Sequence, residues 1–326
     1  MSLQHFLKQY PNRRYLMFGG KGGLGKTTFS AATAYWLAKQ GHKVLVFSVD
    51  PQARLSDIFQ QDIFGKGAVE IMPNLFAQEI DADRRIKDYQ QEIRQKILDM
   101  YGLEKVPEEI ENYIQAAAAE PAMEESAIFD AVVDIVIGGD YDYYIYDLVP
   151  LGHALYYLSM ASVYDQWIDK ITALRAEMAE YAQVASVMQR DKETEEDQIL
   201  RELQYIKQRI NTSSGILTDK ERTAFFFVLV PEEMIIVDTQ KAAGLFARYN
   251  VPLSGYVVNR VIPAELAQQD IPDYLRNRLA MQRGYLERID QLFGQEVLAR
   301  VNEFERDITG LPMIEKVAAA LFGGEE

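Results

Sequence analysis

Cysteine is absent from this chain. That absence excludes disulfides, thiolate zinc sites, cysteine-ligated iron–sulfur clusters and thiol capture of metalloids together. Long apolar runs are also missing. No stretch of about 18 consecutive apolar residues occurs, so no membrane-spanning helix is expected. Residues Met1 to Tyr10 hold no apolar core of signal-peptide length, and a soluble cytoplasmic protein is expected. Positive charge is in deficit, with 34 Lys and Arg against 49 Asp and Glu, for a formal net charge of −15. Such a surface repels nucleic-acid phosphates and anionic lipid headgroups, so no nucleic-acid partner is expected, whereas a basic or apolar protein partner stays open. Internal repeats and low-complexity segments are lacking too. The 326 residues, 48% of them hydrophobic, suffice for one large domain or two modest ones.

The densest information lies in Gly20-Lys21-Gly22-Gly23-Leu24-Gly25-Lys26-Thr27-Thr28. This stretch fits the phosphate-loop (P-loop) pattern Gly-x-x-x-x-Gly-Lys-Ser/Thr and adds a second lysine, Lys21, within the loop. Glycines let backbone N–H groups converge on phosphate oxygens, and the following helix N-terminus adds positive partial charge. Lys26 would reach the β- and γ-phosphates, and the Thr27 hydroxyl can sit on Mg²⁺. Lys21 either reaches a phosphate across a dimer interface or is simply solvated.

The surroundings suit the motif. Tyr15-Leu16-Met17-Phe18 reads as a buried strand, 26–40 as a helix stopped by Gly41, and Val44-Leu45-Val46-Phe47 as a second buried strand. The same glycines also satisfy the dinucleotide pattern Gly-x-Gly-x-x-Gly, with Asp50 where a ribose-binding acid would sit. A dinucleotide site, however, has no use for Lys26 and Thr27 at the helix start, and Lys21 would crowd its pyrophosphate. An acid at Asp147 has a natural role only beside a metal.

Further along, 78–137 reads as largely helical, Tyr143–Tyr146 as a strand ending at Asp147, and 164–210 as a helical hairpin with the charged turn 191–197. Strand, helix and strand then follow over 223–230, 233–249 and 254–258, with helices over 274–292 and 311–322. The expected fold is α/β: a parallel-sheet P-loop NTPase core with helices on both faces and an inserted helical subdomain. It would form a single domain over 1–326, with the subdomain built from inserts at about 78–137 and about 160–215.

Two strand-end acids carry the expected chemistry. Asp147 is placed to hold Mg²⁺ opposite Thr27, directly or through water. Asp50 is placed to orient or deprotonate the attacking water. Asp57 is compatible with a plain helix-start acid. His153 is either part of a switch that rearranges as phosphate leaves or a helix-start side chain.

These segments together resemble the arsenite pump-driving ATPase family, which also holds the cytosolic targeting factor for tail-anchored membrane proteins. Gly20–Thr28 is similar to its deviant phosphate loop. Asp50-Pro51-Gln52-Ala53-Arg54-Leu55-Ser56-Asp57 resembles its first switch, usually Asp-Pro-Ala-His-Asn-Leu-Ser-Asp. Asp147-Leu148-Val149-Pro150-Leu151-Gly152-His153 resembles its second, and Val257-Val258-Asn259-Arg260 its adenine-contacting segment. The resemblance implies an Mg²⁺-dependent ATP hydrolase working as a homodimer. It implies Lys26 and Thr27 on phosphate and metal, Asp50 activating water, Lys21 acting in trans, and Asn259, with Arg260 beside it, at the nucleotide. It also implies helical inserts moved by nucleotide state to bind a protein client or membrane-protein partner. The departures are Ala53-Arg54 for His-Asn, Leu151 for Thr, Asn302 and Glu305 in the late adenine loop, and the missing thiols. Met160, Met178 and Met188 with Trp167 and Ile171 either line a client groove or fill the hairpin core. Alternative functions are a subunit energising an anion-efflux pump and a nucleotide switch with little turnover.

Overall fold

Three consecutive phenylalanines explain why the centre of this protein is a sheet covered on both faces. In the computed structural model Phe225, Phe226 and Phe227 lie in one strand, so successive rings point to opposite faces. Phe225 and Phe227 pack on Phe246 of a helix on one side, at ring-centroid distances of 4.4 and 5.0 Å. Phe226 packs on Phe18 and Phe6 on the other, at 5.2 and 5.4 Å. A strand buried on both faces must be apolar throughout rather than alternating. The structure describes residues 2–49, 54–102, 104–118, 121–148, 170, 204–205, 207–209, 211–248, 251 and 253–323.

Helix α1 (Leu3–Gln9) leads into β1 (Tyr15–Gly19), α2 (Lys26–Lys39), β2 (Val44–Ser48) and the short α3 (Arg54–Phe59). A hairpin of β3 (Val69–Met72) and β4 (Leu75–Glu79) precedes α4 (Ala82–Tyr101), α5 (Glu108–Ala118) and α6 (Pro121–Gly138). The chain returns to the sheet through β5 (Tyr143–Asp147) and β6 (Thr223–Leu229). It continues as α7 (Glu233–Arg248), β7 (Leu253–Val261), α8 (Asp273–Phe293), β8 (Val297–Asn302) and α9 (Gly310–Phe322). The eight strands run in the order β3-β4-β2-β5-β1-β6-β7-β8, all parallel to their neighbours except β3, which is antiparallel to β4.

The apolar runs at β1, β2, β5 and β6 lie where continuous burial requires them, in the middle of the sheet. The antiparallel β3–β4 hairpin and β8 were not expected. Strand β4 alternates buried and partly exposed positions and β8 buries only Leu298 and Val301, and such short, partly exposed patterns are weak in sequence. The first helical insert accordingly starts at Ala82 rather than at 78, because Gln78 and Glu79 belong to β4.

Within that insert Arg94 grips Glu111 with two nitrogens, the shortest contact being 2.6 Å. Arg85 bridges Asp130 and Asp134 of α6 at 2.5 and 2.8 Å, and Arg209 joins the same pair of acids. Residues 211–218 are helical. Most of the expected hairpin over 164–210, with its charged turn, its methionines and Trp167, lies outside the described residues.

At the other end of the chain α9 buries Ile314, Val317, Leu321 and Phe322. Phe322 stacks on Trp36 of α2 at 4.3 Å and 12°. The C-terminal helix therefore clamps the helix that begins at the glycine-rich loop.

Candidate nucleotide-binding site

The loop leaves the carboxyl end of β1, in the middle of a parallel sheet, where open α/β folds place their ligands. Gly25 is the N-cap of α2 with φ +101°, a left-handed conformation that side chains resist. A Cβ there would stand 2.5 Å from the Asn259 amide nitrogen, and one on Gly20 would stand 2.4 Å from the Val228 carbonyl oxygen. Gly22 and Gly23 face open space. Among the described residues no side chain caps α2 and no acid occupies its first turn, so its leading N–H groups face outward as an anion site would have them.

Leu24 is buried and pins the loop to the core, whereas Lys21 is exposed. Lys26 is 7% exposed, and its Nζ donates to the Lys21 carbonyl at 3.1 Å, spanning the loop. The Thr27 hydroxyl donates to Asp147 Oδ2 at 2.7 Å, and Ser30 Oγ donates to Oδ1 at 3.4 Å. Asp147 is 3% exposed and pairs in register with Phe18 of β1 and Ser48 of β2. A carboxylate and a hydroxyl converging in this way are hard oxygen donors that fit Mg²⁺. No cluster of three or more metal-ligating side chains occurs among the described residues, so the remaining ligands of such an ion would be water and phosphate oxygens.

Asn259 and Arg260 lie near the end of β7, against the loop. Asn259 donates to the Leu24 carbonyl at 2.8 Å, and Arg260, at φ +54°, donates to the Gly23 carbonyl at 2.9 Å. Both expected nucleotide contacts thus also fasten the loop from behind. Replacing Gly25 with alanine is expected to cost about 2 kcal/mol of stability, through strain and loss of the Asn259 bond. It should weaken ADP binding at the same time. Thermal unfolding and ADP titration check this, and two unchanged values would show that the loop relaxes freely.

Above the loop opens a cleft of about 310 Å³. One wall is Gly23, Gly25, Lys26, Thr27 and Thr28, and the rest comes from Arg54, Asp57, Ile58, Arg260, Ile308 and Thr309. Asp57, read as a plain helix-start acid, lines this cleft from the first turn of α3. The late loop contributes Ile308 and Thr309 to the cleft, while Asn302 and Glu305 are exposed.

Sequence reasoning missed Glu79. This carboxylate is 1% exposed and accepts from Leu55 N–H at 2.6 Å and Ser56 Oγ at 2.5 Å, holding the start of α3. A glutamate closing a short strand carries no signal of that role. Lys21 has a partner too, Asp238 of α7 at 3.3 Å. Asp50 and His153 lie outside the described residues.

Known proteins now bear on this arrangement. The family model for the anion-transporting ATPases matches residues 13–323. "Putative arsenical pump-driving ATPase 1" of Aquifex aeolicus is 30% identical over 96% of this chain and 79% of its own length. A similarly named protein of Halobacterium salinarum is 29% identical over 96% of this chain, a match that spans 44% of its own length. The ATPase GET3C of Arabidopsis thaliana is 27% identical over 93% of this chain and 81% of its own length. Because the family model's match spans nearly the whole chain, the chain belongs to the anion-transporting ATPase family.

Proposed function

We propose that this protein is an Mg²⁺-dependent ATP hydrolase that works as a nucleotide-switched homodimer and binds a protein client or partner through its helical inserts. The observation that carries the hydrolase is the pairing of Thr27 with the buried Asp147 beside Lys26. Mg²⁺, when bound, neutralises charge on the phosphates. Lys26 and the α2 N-terminus bind and orient the β- and γ-phosphates. Asp147 and Thr27 supply oxygen ligands to the ion, and Asp50 takes the proton of the attacking water. Asn259 and Arg260 hold the loop in shape and flank the nucleotide. Purified protein should release phosphate from ATP with Mg²⁺ and lose that activity in EDTA. Binding of ATP without any release would make it a switch.

Lys21 is proposed to act across the dimer. Its pair with Asp238 is exposed, with side chains 55% and 40% accessible. Such surface pairs contribute about 0–1 kcal/mol. A phosphate contact at about 1.5–3 kcal/mol outweighs that, so the lysine can leave Asp238 for a partner's nucleotide. Lys21→Ala should keep ADP affinity and lower turnover. A parallel fall of both would refute the trans role. Mass measurement with ATP and with ADP tests the dimer itself.

The insert helices α4 to α6, together with the described part of 204–218, are proposed as the subdomain that moves with nucleotide state. Among the described residues no helix is long and apolar enough to cross a membrane.

A further inference from the structure

We infer that Arg54 is a second cationic ligand of the nucleotide's phosphate chain, reaching it from α3 in the same protomer. The inference rests on the ATPase reading above and deepens it.

Four observations converge on this side chain. Arg54 opens α3 and lines the cleft together with Thr27 and Thr28, the first turn of the helix behind the loop. Its backbone is fixed from the next residue onward, because Leu55 N–H and Ser56 Oγ both donate to Glu79 and Ser56 Oγ also accepts from Ile63 N–H at 3.1 Å. Leu55, Ile58 and Phe59 are buried beneath the helix, so α3 has little freedom to withdraw the arginine. Finally, the cleft is lined by three cations, Lys26, Arg54 and Arg260, and one carboxylate, Asp57. In a chain of net charge −15 a cation-rich cleft is a local reversal, and it selects an anion.

Arginine suits this role chemically. Its planar fork matches two phosphate oxygens at once, and its charge does not titrate. Asp57 sits three residues on, on the same helix face, and can steady the fork without cancelling three cations. The contact also gives phosphate occupancy a mechanical outlet. Arg54 would pull on α3, α3 is tied to Glu79, and Glu79 ends the strand that runs into α4 at Ala82. Glu79 is in this sense a positioning residue.

Calorimetric titration of the full chain tests the inference, with ADP, ATP and adenosine as probes at low and moderate salt. Arg54→Ala should weaken ADP and ATP by about tenfold or more, the scale of one lost charge-assisted hydrogen bond. It should leave adenosine binding unchanged and flatten the salt dependence of ADP binding. Arg54→Lys should recover part of the affinity and Arg54→Gln almost none. Equal ADP affinity in wild type and Arg54→Ala overturns the proposal, and so does an equal loss for adenosine, which would put the side chain against the base or ribose. Should Arg54→Ala fail to fold, the lysine and glutamine variants decide by the same comparison. Wild-type protein that binds neither ADP nor ATP would instead remove the ATPase reading itself.

Discussion

Replacing Asp50 with asparagine is expected to leave ATP bound and to slow its hydrolysis by about 100- to 10,000-fold, the usual contribution of a positioned general base. The expectation starts from register. Ser48, the last residue of β2, pairs with Asp147, the last residue of β5, so the two strands end side by side next to the loop. Asp50 follows two residues later in the sequence, and the proposed hydrolase assigns it to the attacking water. Asparagine keeps the shape and loses the proton acceptor, which separates binding from chemistry. Calorimetry should return the wild-type affinity for ATP, and a phosphate-release assay should return the loss. Undiminished turnover would remove Asp50 from the mechanism. The same variant, locked with ATP, is the bait of choice for testing whether the helical inserts bind a client.

Lys26→Ala should act earlier, at binding. Lys26 is largely buried and its ammonium spans the loop to the Lys21 carbonyl, a position from which it would reach the phosphates directly. Loss of two charge-assisted bonds to phosphate, at about 1.5–3 kcal/mol each, predicts a rise in Kd of about 100-fold or more. Arginine should not rescue it, because a wider guanidinium does not fit a site 7% exposed. A melting temperature near that of the wild type would show that the effect is local. Retained ADP binding with an intact fold would mean that the phosphates are held without Lys26, by the α2 N-terminus and the other cations of the cleft.

The parts of this fold that were legible are those where one physical cause dominates. The apolar runs at Tyr15–Phe18, Val44–Phe47 and Ala224–Val230 admit only doubly covered strands, and they lie at the centre of the sheet. The loop was legible because glycine spacing and a Lys-Thr pair reflect local backbone needs. The edges were not. Leu75–Glu79 ends in Gln and Glu, and only the three-dimensional structure reveals that Glu79 is buried under α3. Contacts across more than 200 residues, such as Lys21 with Asp238 or Asn259 with Leu24, leave no trace in local pattern. Arg54 was visible only as a departure from a family's usual asparagine. Its place on the cleft wall depends on an anchor 25 positions downstream.

The bonds from Asn259 and Arg260 to the carbonyls of Leu24 and Gly23 carry a consequence for biosynthesis. A nascent polypeptide halted on the ribosome before β7 has already displayed every glycine of the motif, yet lacks the struts that brace it. Nucleotide capture is therefore expected late in translation, once β7 has emerged and docked against the loop.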